Sequence, residues 1–143
     1  MTYSMVLIPP LVLTLLAVWL DLRTREIPNG LSLAILIWGF AACVFGWAGV
    51  NYAFFAEGLA MGIAAAALLF FLGKLGGGDA KLLSALGGIL GWRGAVFMLV
   101  VMALAGGILA LVAAVRGRKT FAYGPAIGAG VLAHFLLVMR GGV

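Results

Sequence analysis

Gly73-Lys74-Leu75-Gly76-Gly77-Gly78-Asp79-Ala80-Lys81, with the apolar run Leu82–Trp92 behind it, is the stretch on which the fold turns. Leu82–Trp92 has only 11 residues, about 16 Å of α-helix at a rise of ~1.5 Å per residue. The hydrocarbon core of a bilayer is ~30 Å thick and takes about 20 apolar residues to cross as a helix. The run therefore crosses only if its helix begins inside the glycines that precede it. Whether it crosses sets the sidedness of every segment downstream.

Composition shows that a bilayer is the right solvent. Apolar residues make up 66% of the 143 residues and charged ones 9%, against about 45–50% and ~25% in soluble domains. Mean hydropathy is +1.27. A water-soluble globule of this composition would expose more apolar surface than water tolerates. The length accommodates at most about six or seven spans with short loops and leaves no room for a separate soluble domain. Residues 1–143 thus read as a single transmembrane domain of all-α, polytopic architecture.

Ahead of the glycine run, Met1–Leu20, Leu31–Val50 and Ala53–Leu72 read as three spans; behind it, Gly94–Val115 and Tyr123–Met139 read as two more. The first segment has no Lys or Arg ahead of its apolar stretch and no small-residue cleavage site at its end. It reads as a retained helix rather than a signal peptide, kinked or started by Pro9 and Pro10. In the polar stretch Asp21–Asn29, Pro28 pushes Ile27 out of helical geometry and Asn29 is placed to cap the second helix. A short turn is expected at Asn51.

Charge tests the count. The net charge is +5 and the pI about 10.0, but the basic residues lie at the edges of apolar segments, where they orient a protein in a membrane. The expected partner is the lipid bilayer, not nucleic acid. With six spans and the N-terminus outside, the cytoplasmic loops hold Arg23, Arg25, Lys74, Lys81, Arg116, Arg118 and Lys119, and the outer side only Arg93 and Arg140. This asymmetry is what the positive-inside rule demands. Without a crossing at Leu82–Trp92, the loop at Arg116 would lie outside. Asp79 is therefore expected at or just within the inner membrane surface, on the same face as Asp21.

Among the 22 glycines, Gly58-x-x-x-Gly62 and Gly124-x-x-x-Gly128 have the spacing that lets helix backbones approach closely. Trp19, Trp38, Trp47 and Trp92 read as interfacial anchors or lipid-facing packing. Cys43, the sole cysteine, can form neither an internal disulfide nor a zinc knuckle and reads as a small packing residue.

The acidic residues are Asp21, Glu26, Glu57 and Asp79. Ionisable groups at membrane depth are costly and suggest function; the plain alternative is an interfacial charge, solvated or paired with Arg23, Arg25, Lys74 or Lys81. Two carboxylates can hydrolyse a peptide bond if they share one proton, because charges ~3 Å apart cannot both ionise readily. The ionised member activates water, and the protonated one polarises the scissile carbonyl and then protonates the leaving amine. Packing of the first span against the fourth is expected to bring Asp21 and Asp79 together. Glycines before Asp79 admit close approach of a substrate backbone; the run lacks the spacing of a phosphate-binding loop. Lys81 could hold a carboxylate ionised, although i and i+2 do not face each other on a helix. Glu26 reads as a solvated loop charge or a contact for a basic peptide, Glu57 as an interfacial charge, and His134 as a packed histidine near the outer side.

Three blocks carry a resemblance to a known family. Gly76-Gly77-Gly78-Asp79 fits the Gly-x-Gly-Asp motif of intramembrane aspartyl peptidases, and with Lys81-Leu82 behind it resembles the type IV prepilin peptidase version. Asp21, followed by Arg25 and Ile27-Pro28-Asn29, resembles the stretch around that family's other catalytic aspartate. Tyr123-Gly124-Pro125-Ala126-Ile127-Gly128 resembles a segment on the family's last helix. The blocks stand in the right order along nearly the whole chain. The resemblance implies Asp21 and Asp79 as the catalytic pair, with Gly76, Gly77, Gly78, Lys81, Gly124 and Pro125 at the substrate, no cofactor and no metal. It implies cleavage of prepilin or pilin-like precursors at the cytoplasmic face of the bacterial inner membrane. Such a substrate has a short basic leader, a small residue before the cut and an apolar helix after it. The larger bacterial members carry an extra N-terminal region with paired Cys-x-x-Cys motifs, associated with N-methylation. This chain resembles the short form associated with Flp (tight-adherence) pili, from which methyl transfer is not expected.

The alternative is a non-enzymatic small membrane transporter or pilus-assembly subunit that uses its aspartates for ions or helix pairing. A transporter should carry polar residues through the bilayer midplane, whereas Asp21, Glu26 and Asp79 gather at one face.

The topology is open to direct test. Cysteines placed at Arg25 and Arg118 in a Cys43→Ser background should both resist thiol reagents applied from outside the cell. Labelling at the Arg118 position alone would mean that Leu82–Trp92 does not cross.

Overall fold

The computed structural model describes residues 2–118 and 122–141. The described residues form α1 (Tyr3–Thr24), α2 (Asn29–Val44), α3 (Tyr52–Phe71), α4 (Gly77–Val115) and α5 (Gly124–Met139), with a 3-10 turn at Trp47–Gly49 between α2 and α3. No strand occurs among them. Helices α1, α3 and α4 are long and apolar enough to cross a membrane, and α2 and α5 are shorter apolar helices. Large apolar side chains such as Leu104, Ile108 and Phe71 point outward, away from any core, as lipid-facing surfaces do.

Helix α4 shows how the short apolar run is built into the bundle. It is broken at Gly91, where φ is 66° and ψ 175°, a conformation open essentially to glycine alone. The arm before the break, 77–90, starts where Gly78 abuts Ile27. It ends where the Tyr3 hydroxyl donates to the Ile89 carbonyl at 3.0 Å. The arm after the break runs back, with Gly94 beside His134 and Gly106 beside Tyr123. The sequence predicts separate fourth and fifth spans; the structure makes them two antiparallel arms meeting without a loop. The first arm begins inside the glycine run, at Gly77, and extends about 21 Å along the bundle.

That first arm is the central post. Leu82, Leu83 and every residue from Ala85 to Gly91 are buried. Helix α3 runs antiparallel along it at backbone distance: a Cβ on Gly58 would stand 2.7 Å from Gly91 Cα, and one on Gly62 would stand 3.0 Å from the Leu83 carbonyl. Helix α2 packs on another side, α5 packs on the second arm, and α1 packs chiefly on α5 and α2.

Several local expectations need correction. Pro9 and Pro10 do not start α1; both lie inside it, where a proline can kink a helix. Proline has no N–H, so Pro10 leaves the carbonyl four residues earlier without its helical partner. That carbonyl belongs to Val6, and the Trp38 indole N–H donates to it at 2.9 Å. Trp38 is therefore a tie between α2 and α1, not a membrane anchor. Pro28 occupies the cap position of α2 and Asn29 is its first residue, so Asn29 does not cap; its side-chain oxygen accepts from Lys81 Nζ instead. Helix α2 stops at Val44, short of the expected Val50, because Gly46 and Ala48 adopt left-handed backbone angles. Asn51 does cap: its Oδ1 accepts from the Phe54 N–H at 2.9 Å.

The charge pattern follows the chain reversals. Arg23, Arg25, Lys74, Lys81, Arg116 and Arg118 fall at the end where Gly78 meets Ile27, and Arg93 and Arg140 at the other. Lys119, counted with the first group from sequence, lies outside the described residues.

Gly87 faces the backbone of Gly58 and Gly62 so closely that a Cβ would stand 2.9 Å from Gly62 Cα, whereas a Cβ on Gly107 meets nothing within 4 Å. Gly87→Ala should lower stability by about 1–3 kcal/mol through overpacking, read as a reduced thermal midpoint in detergent. Gly107→Ala should leave the midpoint near that of the parent protein.

Candidate active site

Asp21 lies near the end of α1, which stops where Arg25 takes a left-handed conformation and its N–H closes on the Asp21 carbonyl at 2.9 Å. The chain then leaves extended through Ile27-Pro28, as the residue before a proline favours. The Asp21 side chain is turned into the bundle, with 6% of the residue exposed. Its Oδ2 accepts the Gly124 N–H at 3.0 Å. Gly124 is the first residue of α5, and the leading N–H groups of a helix have no partner within it.

Asp79 arrives from the opposite direction, in the first turn of α4. A helix N-terminus carries partial positive charge and favours a carboxylate there. Asp79 Oδ2 lies beside Gly76, where a Cβ would stand 3.4 Å from it. Oδ1 is buried and accepts no hydrogen bond from the described residues. Leu75, buried, anchors the glycine-rich connection from below.

The two aspartates line one cavity of about 250 Å³ together with Arg25, Glu26, Ile27, Asn29 and the three glycines Gly76, Gly77 and Gly78. They are near enough for the charge of Asp21 to act on Asp79. Direct packing of α1 on α4, expected to bring them together, is slight. The α1–α2 connection does it instead: Ile27 sits against Gly78, where a Cβ would approach Ile27 Cβ and its carbonyl at 3.2 Å. A side chain on Gly78 would push the two aspartate-bearing elements apart.

The other residues singled out from sequence separate into two groups. Gly76 and Gly77 are open to the cavity, with no backbone crowding at either. Gly124 faces Asp21 rather than open space: a Cβ there would meet Asp21 Oδ2 at 2.5 Å. Pro125 follows it in the first turn of α5. Lys81 Nζ donates to Asn29 Oδ1 at 2.9 Å. Arg23 lies over the Trp19 ring, 4.5 Å from its centre. Two of the cations that could have made these aspartates ordinary surface ion pairs are thus engaged elsewhere. Asn29, which its position after Pro28 suits to a helix cap, lines the cavity instead, and nothing local in the sequence signals that place. Among the described residues no three His, Cys, Asp or Glu side chains gather as a metal-ligand set.

His134 and Glu57 lie at the far end of the bundle, in a separate pocket with Tyr3 and Arg93. His134 is buried there and packs against Gly94 and Phe97.

Comparison with known proteins adds one finding. The model of the type IV leader peptidase family matches residues 8–111, a stretch that contains both Asp21 and Asp79. No curated protein and no solved structure matches the chain. The family match covers most of the sequence and most of the helical bundle, and on that ground this membrane protein belongs to the type IV leader peptidase family.

Proposed function

We propose that this chain is an aspartyl endopeptidase that removes the leader from prepilin or pilin-like precursors at the cytoplasmic face of the bacterial inner membrane. The carrying observation is the meeting of Asp21 and Asp79 in one cavity at the positively charged end of the bundle. In the proposed topology six segments cross the membrane, counting the two arms of α4 separately, with the N-terminus outside. The cavity then opens to the cytoplasm, where a basic leader would arrive. By the sequence resemblance, precursors of the Flp type are the proposed class.

The chemistry follows from the site. One carboxyl, ionised, takes a proton from a water held between the pair. The other, protonated, donates to the carbonyl oxygen of the scissile bond as the water attacks. The tetrahedral intermediate collapses as a proton passes to the leaving amine, and the pair returns to its starting state. Asp21 is fixed by the Gly124 N–H, which limits the geometries it can sample. Asp79 Oδ1 is buried and has no hydrogen-bond partner among the described residues, so its capacity to accept or carry a proton is not spent on another protein group. Gly76 and Gly77 present backbone without side chains at the cavity wall, where an extended peptide can lie close.

Asp21→Asn and Asp79→Asn should each reduce cleavage of a pilin precursor by at least ~10²-fold, since an amide cannot supply the ionised base. Both variants should still insert and accumulate, and Glu57→Gln should cleave normally. Gly124→Ala, which crowds the Asp21 carboxylate, should lower the rate by about 10- to 100-fold by displacing a reacting group. Near-normal cleavage by either asparagine variant would remove the dyad. Purified protein in detergent should also keep cleaving after exhaustive chelation; loss of cleavage restored by added metal would replace the metal-free mechanism.

A further inference from the structure

Helices α2 and α3 scarcely touch each other, and each packs instead on the first arm of α4. The space between them is a groove of about 660 Å³, open to the side of the bundle. Its floor is Ala80 and Ala85 of α4, and its walls include Leu36 of α2 and Ile63 and Ala67 of α3. Along α3 it reaches from Leu59 to Phe71, about 18 Å of helix. Its deep end is apolar. Its other end holds Asn29, Ser32 and Lys81. Asn29 and Gly77 line both this groove and the carboxylate cavity, so the two spaces adjoin.

We propose that this groove seats the apolar helix of the precursor, with the N-terminal end of that helix at Asn29 and Gly77 and the scissile bond passing from there to Asp21 and Asp79. The proposal rests on the peptidase reading above and adds where the membrane part of the substrate binds. Three features select a helix over a lipid chain. Small residues on the floor admit close backbone approach, the basis of helix association in lipid. A helix that starts at the polar end brings unpaired backbone N–H groups with it, and the exposed Asn29 Oδ1 there, which accepts from Lys81, has a second lone pair to offer one of them. An acyl chain offers that oxygen nothing. The polarity of the groove also matches the order of the substrate: the cut lies at the polar end, and the apolar helix runs away from it into the bundle's depth.

The test uses the full chain in a Cys43→Ser background and a synthetic precursor with a lysine-containing leader, a glycine before the cut and an apolar helix carrying one cysteine. Single cysteines go at Ile63 in the groove and at Leu111 on the exposed face of the second α4 arm. Thiol cross-linking should join the precursor to position 63 well above position 111, and excess cysteine-free precursor should suppress the adduct. Equal yields, no adduct, or enzyme-to-enzyme dimers through position 63 would overturn the proposal, the last in favour of a second copy as occupant. Ala67→Trp, which fills the groove, should raise KM for the precursor about tenfold with kcat little changed. A short peptide spanning the cut but lacking the apolar helix should be cleaved equally by variant and parent. Parent-like handling of the precursor by Ala67→Trp would sink the groove alone. Failure of the parent protein to cut either substrate would sink the peptidase assignment instead.

Discussion

A backbone N–H or carbonyl released from its helix has no water to turn to inside a membrane, and leaving it unpaired costs several kcal/mol. In this bundle three such groups are met by a side chain from another helix. Pro10 frees the Val6 carbonyl, and Trp38 of α2 donates to it. The break at Gly91 interrupts the ladder of α4, and Tyr3 of α1 donates to the Ile89 carbonyl just before it. The start of α5 presents the Gly124 N–H, and Asp21 of α1 accepts it. These bonds join α1 to α2, to α4 and to α5. At these three places a lapse in one helix's own pairing becomes a tie to another helix.

The third bond has a further consequence, because its acceptor is one of the proposed catalytic groups. Asp21 is oriented by the same contact that completes the first turn of α5. Its partner Asp79 is placed by a different rule, close contact between glycines. Gly58 and Gly62 of α3 bring α4 in at backbone distance, and Gly78 lets the start of α4 come up against Ile27. With neither aspartate on a flexible loop, the geometry of the pair depends on helix ends that are themselves packed. The same closeness of α3 to α4, with α2 held apart from α3, leaves the lateral groove beside the cavity.

Much of this was legible in the chain. The apolar runs marked the helices to within a few residues, since lipid demands length and apolarity of any crossing segment. The need for the short run Leu82–Trp92 to recruit glycines into its helix followed from the rise per residue alone, and α4 does begin at Gly77. The spaced glycines Gly58 and Gly62 announced a tight helix pair, though not which helix would be the partner. Other readings failed for identifiable reasons. Trp38 looked like an interfacial anchor because composition cannot see a carbonyl freed 32 positions away. Asn29 looked like a cap because its position beside Pro28 suited one, and nothing local announced that Lys81 would claim its side chain.

By itself, the sequence determined that the protein is an all-helical membrane bundle and at which ends of its apolar segments the charges lie. Those properties depend on hydrophobicity, segment length and charge order, all of which are written along the chain. The tertiary structure decided the rest. It turned the fourth and fifth segments into arms about Gly91, brought Asp21 and Asp79 into one cavity through Ile27 and Gly78 rather than by packing α1 on α4, and gave the Asp21 carboxylate to Gly124. Each of these depends on contacts between residues far apart in sequence, where a missing side chain or an unpaired backbone group acts only once its neighbour has been brought beside it.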